Sequence, residues 1–337
     1  MTRFLIIRFS SIGDIVLTTP VIRCLKQQIE DVEIHYLTKK QFGGLLENNP
    51  YIDKLWLLDK NFDELLSQIR KTHIDYIIDL HHNLRTQRLK NKLSILSFSF
   101  NKLNYAKWMM VNFKKNRLPD VHIVDRYLDT LSSFDVENDG KGLDFFPGNT
   151  WSDLPKEAQK QLPDRYIALA IGAQHFTKKA PPEKLAMLID NLSLPVIILG
   201  GPADTGAAES IISRSLKKDT VNLAGKISLD NSAFLVSKAE AIVTHDTGLM
   251  HIAAAFGKKI MSIWGNTIPE FGMYPYQAHP ASRIFEVKDL PCRPCSKIGF
   301  QQCPKKHFRC MMDQDMMGIA QYVNRETETG RTDTAGA

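Results

Sequence analysis

Twice along the chain, short apolar segments rich in valine, isoleucine and leucine alternate with helical stretches. This alternation constrains the fold more than any other feature of the sequence. In the first half the segments are 3–7 (RFLII), 32–38 (VEIHYLT) and 73–80 (HIDYIIDL), with helices expected over 15–29 and around 61–71. The 15–29 stretch is apolar at 16, 17, 21, 22, 25 and 29, and Pro20 falls in its first turns, where a missing N–H costs least. In the second half, 166–172 (YIALAIG), 195–201 (PVIILGG), 241–246 (AIVTHD) and 260–265 (IMSIWG) alternate with helices over 182–192 and 204–217. Apolar strands alternating with helices argue for a parallel sheet covered on both faces.

At 337 residues the chain exceeds what a single core usually supports, roughly 250–300 residues, so two domains are expected. The segment FFPGNTWSDLPKEAQKQLPD (145–164) has three prolines and no sustained periodicity, and reads as a linker. The sequence therefore predicts an α/β protein of two Rossmann-like domains, 1–150 and 151–325. A small, polar tail over 326–337 is expected to lack structure. Two such halves would face each other across a crevice at the carboxyl ends of their sheets, where open α/β sheets bind ligands.

A net charge of +6 is modest for this length and points to an anionic partner without naming it. The charge is concentrated: residues 81–126 hold ten Lys/Arg against two Asp/Glu, with Phe98, Phe100, Tyr105, Trp108 and Phe113 interleaved. Such a stretch is either a solvated helical face or a surface for anionic lipid or phosphorylated glycolipid. No nucleic-acid motif accompanies it, so a nucleic-acid partner is not expected. No apolar run reaches the ~20 residues that span a bilayer. Arg8 also interrupts the only N-terminal stretch that could resemble a signal peptide, so a cytoplasmic setting with reduced cysteines is expected.

Three turns carry candidate chemistry. After the first strand, SSIGD places Ser11, Gly13 and Asp14 at a helix start, where Asp14 is either a capping residue or a general base. In IGAQHFTKKAPPEKL, Lys178 and Lys179 precede a proline-initiated helix, and lysine there could neutralise a diphosphate. In THDTGLMHIAAAF, a strand ends and a helix opens at Asp246, Thr247, Gly248 and Leu249, with His251 one turn on. Backbone N–H groups at a glycine-opened helix mouth suit phosphate, although a simple capped helix with His251 in the core fits the same residues.

These three turns, in this order, resemble glycosyltransferase family 9, whose members move ADP-activated heptose onto the inner core of lipopolysaccharide. Ser10, Ser11, Gly13 and Asp14 match the family's S-S-x-G-D turn, and Asp246, Thr247, Gly248 and His251 match its D-[ST]-G-x-x-H signature, the most specific part. Lys178, Lys179, Ala180 and Pro181 match its K-x-W-P segment, with alanine in place of tryptophan. YIIDLHHNLRTQ and HIVDRYL are similar to further family segments, and the likeness extends over about 3–325. It implies a GT-B fold and inverting transfer with no catalytic cofactor. Asp14 would then be the base and Lys178 the group that stabilises the leaving diphosphate. Asp204, Asp246, Thr247, Gly248, Leu249 and His251 would surround the ADP-heptose donor. Ser11, Gly13, Arg85, Arg88 and Arg126 would meet an anionic glycolipid acceptor, in peripheral contact with the inner membrane. Two rivals remain open: an epimerase or transferase of this architecture using another nucleotide sugar, and a metal-stapled polyanion-binding protein.

Four of the five cysteines, Cys292, Cys295, Cys303 and Cys310, cluster in CRPCSKIGFQQCPKKHFRC. They could ligate structural zinc, with His307 as a substitute ligand, or be packing thiols or a disulfide.

Overall fold

The computed structural model describes residues 1–148 and 153–328. The chain divides into two compact units, 1–104 with 119–148, and 105–118 with 149 onward. Segment 105–118, expected in the first domain, thus belongs with the second unit. The boundary expected at 150/151 and the tail from 329 lie outside the described residues, while 326–328 end the last helix.

The first unit runs β1 (Thr2–Ile7), α1 (Ile12–Val16), α2 (Thr19–Gln28), β2 (Val32–Lys39), β3 (Lys54–Leu58), α3 (Phe62–Arg70), β4 (Tyr76–Asp79), α4 (Leu84–Leu93) and β5 (Leu96–Ser99). The helix expected over 15–29 is two helices: Ser11 starts the first, and Thr18 caps the second just before Pro20. Segment 105–118 contributes α5 (Asn104–Phe113), and α6 (Ile123–Leu128) returns to the first unit. All strands pair parallel in the order β3-β2-β1-β4-β5. Leu5, Ile7, Leu37, Ile77 and Leu89 centre one face's core, closed by Leu66 and Ile69 of α3.

The second unit runs α7 (Lys156–Gln159), β6 (Ile167–Ala170), α8 (Pro182–Asp190), β7 (Val196–Leu199), α9 (Thr205–Arg214), β8 (Thr220–Asn222), α10 (Leu229–Lys238), β9 (Ala241–His245), α11 (Gly248–Ala255), β10 (Lys259–Trp264), β11 (Arg283–Glu286), α12 (Arg309–Met312) and α13 (Met316–Glu328). Its order is β11-β10-β9-β6-β7-β8, again all parallel. Each sheet winds outward in both directions from its first strand, so each has one switch point, β1/β4 and β6/β9. Loops leaving the carboxyl ends of those strands diverge there and open a binding position. Among the described residues no helix is long and apolar enough to cross a membrane.

Candidate active site

In the first unit, the loop leaving β1 carries Arg8, Ser11 and Asp14 to the switch point. Arg8 pairs with Asp14 Oδ1 through Nη2 at 2.6 Å. Its other nitrogens donate to the Ser10 carbonyl (2.7 Å), the Leu80 carbonyl (2.5 Å) and the Tyr127 hydroxyl (3.1 Å). The second Asp14 oxygen accepts from the Ser11 N–H (3.0 Å) and hydroxyl (2.7 Å). Burial alone would raise the Asp14 carboxyl, but Arg8 and the Ser11 donors outweigh it and hold the pKa at about 2. Asp14 thus completes the capping box that Ser11 opens on α1, and it remains a charged carboxylate at the switch point. Arg8, which the sequence reading used only to dismiss a signal peptide, is the residue that fixes it. A charged residue directly after an apolar strand was the available signal.

A cleft of about 440 Å³ opens in this unit, lined by Phe9, Lys39, His81, Asn83, Leu84 and Arg85. Arg85 lies over the Phe9 ring at 6.0 Å. Burial, aided by nearby Arg8, pushes the His81 pKa down to about 4. The three arginines expected at the acceptor do not share this setting. Arg88 sits over Phe62 instead. Arg126 is 8% exposed and donates to the Asn101 carbonyl, so it braces the fold. Gly13 is buried within α1.

In the second unit, the loops after β6 and β9 meet. Lys178 Nζ contacts Asp246 Oδ2 at 2.5 Å, and the Thr267 hydroxyl donates to the same oxygen at 2.9 Å. The Thr177 hydroxyl bonds with the backbone of Phe300, and a Cβ on Gly265 would lie 2.6 Å from the Thr177 carbonyl. Glycine there lets the lysine loop pass close to the end of β10. Lys179 pairs with Asp204 at 2.6 Å, and Asp204 also accepts the Gly201 N–H. Asp204, expected at the donor, here ties the lysine loop to the turn after β7. A Cβ on Gly172 would come within 2.5 Å of it, which accounts for that glycine.

Thr247 is the N-cap of α11, yet its side chain makes no capping bond and lies 3.4 Å from the Thr244 hydroxyl. The first-turn amides of α11 are accordingly left uncapped by a side chain, next to the charge-compensated Lys178–Asp246 pair, and such amides are the donors a helix mouth offers to phosphate. Gly248 and Leu249 are half-buried, whereas His251 is 2% exposed and stands in the core. Sequence reading missed His245. It is buried and accepts the Ala180 N–H through Nε2 at 2.9 Å, tying β9 to the lysine loop. Burial first, then Lys179, lowers its pKa to about 4, which keeps that nitrogen an acceptor. Ala180 itself packs in the apolar core.

The cysteine cluster does not form the ligand set its spacing suggested. All four are free thiols, and Cys292 Sγ lies 3.9 Å from His307 Nε2. Among the described residues no group of three or more His, Cys, Asp or Glu side chains is arranged to hold a metal ion. Burial raises the Cys295 and Cys310 thiols to about 11 and about 12, favouring the protonated form.

The profile of glycosyltransferase family 9 (heptosyltransferase) matches residues 62–306. The chain belongs to this family. It is a glycosyltransferase, and the paired doubly wound units are the GT-B architecture. Lipopolysaccharide heptosyltransferase 1 of Campylobacter coli is 27% identical over 286 residues, covering 78% of this chain and 83% of that protein. The glycosyltransferase family 9 structure from Veillonella parvula superposes with a TM-score of 0.70 at 25% identity, over 86% of each chain. An E. coli heptosyltransferase solved with ADP gives 0.67 at 17% identity, over 96% of this chain and all of that one.

Proposed function

We propose that this glycosyltransferase moves heptose from ADP-heptose to the anionic inner core of lipopolysaccharide, with inversion and without a catalytic metal. The observation that carries the donor half is the Lys178–Asp246–Thr267 cluster beside the uncapped mouth of α11. A relative from E. coli was solved with ADP, a nucleotide that carries a diphosphate. The acceptor hydroxyl attacks the anomeric carbon, the new C–O bond forms on the face opposite the nucleotide, and the bond to the β-phosphate oxygen breaks. Lys178 turns from Asp246 to the departing diphosphate and, with the α11 amides, offsets its growing charge. Asp14 accepts the hydroxyl proton. At a pKa near 2 it is a weak base at rest, so it acts as bond formation makes the hydroxyl acidic. The acceptor's anionic groups meet Lys39 and Arg85 in the first-unit cleft. The enzyme works at the cytoplasmic face of the inner membrane.

The deciding experiment is turnover with ADP-heptose on a panel of truncated core acceptors, alongside ADP-, UDP- and GDP-sugars in a thermal-shift series. Transfer from ADP-heptose that persists in EDTA, with an inverted product, supports the proposal. Transfer from a UDP- or GDP-sugar alone overturns the donor assignment, and loss of transfer in EDTA overturns the metal-free mechanism.

A further inference from the structure

The helices flanking the sheets bury an apolar face: α2, for example, buries seven of its ten residues. α5, with the sequence NYAKWMMVNF, buries none. Tyr105, Trp108 and Phe113 are 65%, 51% and 55% exposed. They form one continuous ring array, Tyr105 stacked on Trp108 with centroids 6.2 Å apart and Trp108 edge-on to Phe113 at 5.2 Å. The helix is fastened to the rest of its unit by two lysines. Just past its end, Lys114 Nζ donates to the carbonyls of Pro294 (2.7 Å) and Cys292 (3.4 Å), and Lys107 lies over Phe271 at 5.9 Å. Charge around the helix has one sign: no Asp or Glu occurs from 80 to 119, while Lys102, Lys107, Lys114, Lys115 and Arg117 fall in its last part.

We propose that α5, with Lys115 and Arg117 after it, is the surface by which this enzyme docks on an anionic bilayer. Exposed Trp and Tyr carry an apolar ring and a polar tip, the combination that settles at the headgroup boundary. A helix of this length, about 15 Å, lies flat in that layer while flanking cations face anionic headgroups. Protein interfaces are depleted in lysine at their centres, which argues against a second protein chain. The rings pack on one another rather than standing apart, leaving no slot for an intercalated nucleobase. The inference rests on the glycolipid-acceptor reading for its purpose, but its test does not use transfer.

The full chain is floated with phosphatidylcholine vesicles with and without phosphatidylglycerol. Binding is expected to the anionic vesicles and to weaken with salt. Replacing all three rings (Tyr105→Ser, Trp108→Ser, Phe113→Ser) lowers it by at least about tenfold, since each ring contributes burial of apolar surface. Lys115→Glu with Arg117→Glu lowers it by roughly fivefold per residue or more. These side chains are exposed, and an unchanged melting temperature checks that the variants fold. Equal flotation of wild type and ring variant overturns the proposal. So does a ring variant whose change is in self-association mass, or preferential binding of single-stranded DNA over vesicles. Transfer to a water-soluble acceptor is measured in parallel: its absence in wild type defeats the functional reading, while ring-dependent vesicle binding would still stand.

Discussion

The two switch points hold the same pair of charges in opposite states of commitment. At β1/β4 a carboxylate, Asp14, is locked by an arginine whose other two nitrogens bond to Ser10, Leu80 and Tyr127. At β6/β9 a lysine, Lys178, meets Asp246 through a flexible ammonium, and Thr267 supplies the carboxylate with a second donor. Arginine's planar fork suits a permanent brace, and lysine's compact charge suits an ion that must change partners. Under the proposed mechanism the first site keeps one group fixed through the reaction, and the second exchanges an internal anion for a diphosphate.

The largest expected effect comes from breaking the fixed pair. Asp14→Asn should lower single-turnover transfer by ~10²–10⁴-fold while ADP binding persists. The sequence alone suggests that asparagine, an equally good cap, would leave stability untouched. The structure changes that expectation, because Arg8 would lose its counter-charge while largely buried. A cost on the order of 3 kcal/mol or less follows, about 5–10 °C in melting temperature for domains of this size. The rates must therefore be compared at a temperature where both proteins are folded. Near-wild-type transfer in a folded Asp14→Asn variant would leave Asp14 as a cap only.

Breaking the exchangeable pair should cost less. Lys178→Ala is expected to slow transfer by about 10²-fold, the scale for removing one group that stabilises charge in a transition state. Its melting temperature should fall as well, since Asp246, as buried as Arg8, loses its counter-charge and keeps only the Thr267 hydroxyl. Gly248→Val adds bulk at the α11 mouth and should weaken ADP binding by about tenfold. If calorimetry finds ADP affinity unchanged in both, the donor is held elsewhere.

How much of this was legible depends on burial. The strands β1, β2, β4, β6, β7, β9 and β10 are mostly buried and, except for β2, mostly apolar, and the sequence places all seven. The outer strands β3, β5, β8 and β11 were not expected, because they are short and half exposed, so apolar continuity is lost. The motif residues Asp14, Lys178 and Asp246 could be named from their turns. Of the side chains that hold these loops, Arg8 was signalled by a charge directly after an apolar strand. The Thr267 bond to Asp246 and the His245 bond to Ala180, by contrast, join residues far apart in sequence and leave no local pattern. Charge count misled in the same way: Arg126 and Arg88 add to a basic stretch in sequence, yet one is buried and the other lies on Phe62.

Each switch point also has a histidine kept neutral, His81 beside Arg8 and His245 beneath the lysine loop, both lowered to about 4. Between that value and the ordinary 6.5 the unfolded chain binds more protons than the folded one. Stability is therefore full above about pH 6.5 and falls as pH drops toward 4, by up to about 1.4 kcal/mol per pH unit for each histidine. Asp14 acts in a separate window: its contribution is present above about 3.8 and is lost as pH falls through about 2. Urea midpoints across pH 4–7 test this. A flat profile would mean that neither histidine is held neutral, and a His245→Gln variant should remove about half of the slope.

The smallest effect divides the first-unit arginines. Arg85 lines the cleft beside Lys39 and His81, while Arg88, one turn along α4, lies over Phe62 close to the Lys92–Asp63 pair. An anionic acceptor in that cleft would meet Arg85 and not Arg88. Arg85→Ala should raise the acceptor KM by about fivefold to tenfold with kcat and ADP affinity unchanged, as expected for loss of one charged contact that acts before and during reaction alike. Arg88→Ala should leave the acceptor KM within about twofold, because exposed surface pairings contribute little. The reverse outcome, a KM effect for Arg88 alone, would move the acceptor to the α3–α4 face. A loss of ADP binding by Arg85→Ala would instead assign the cleft to the nucleotide, and the division between an anchored first site and an exchanging second one would fail.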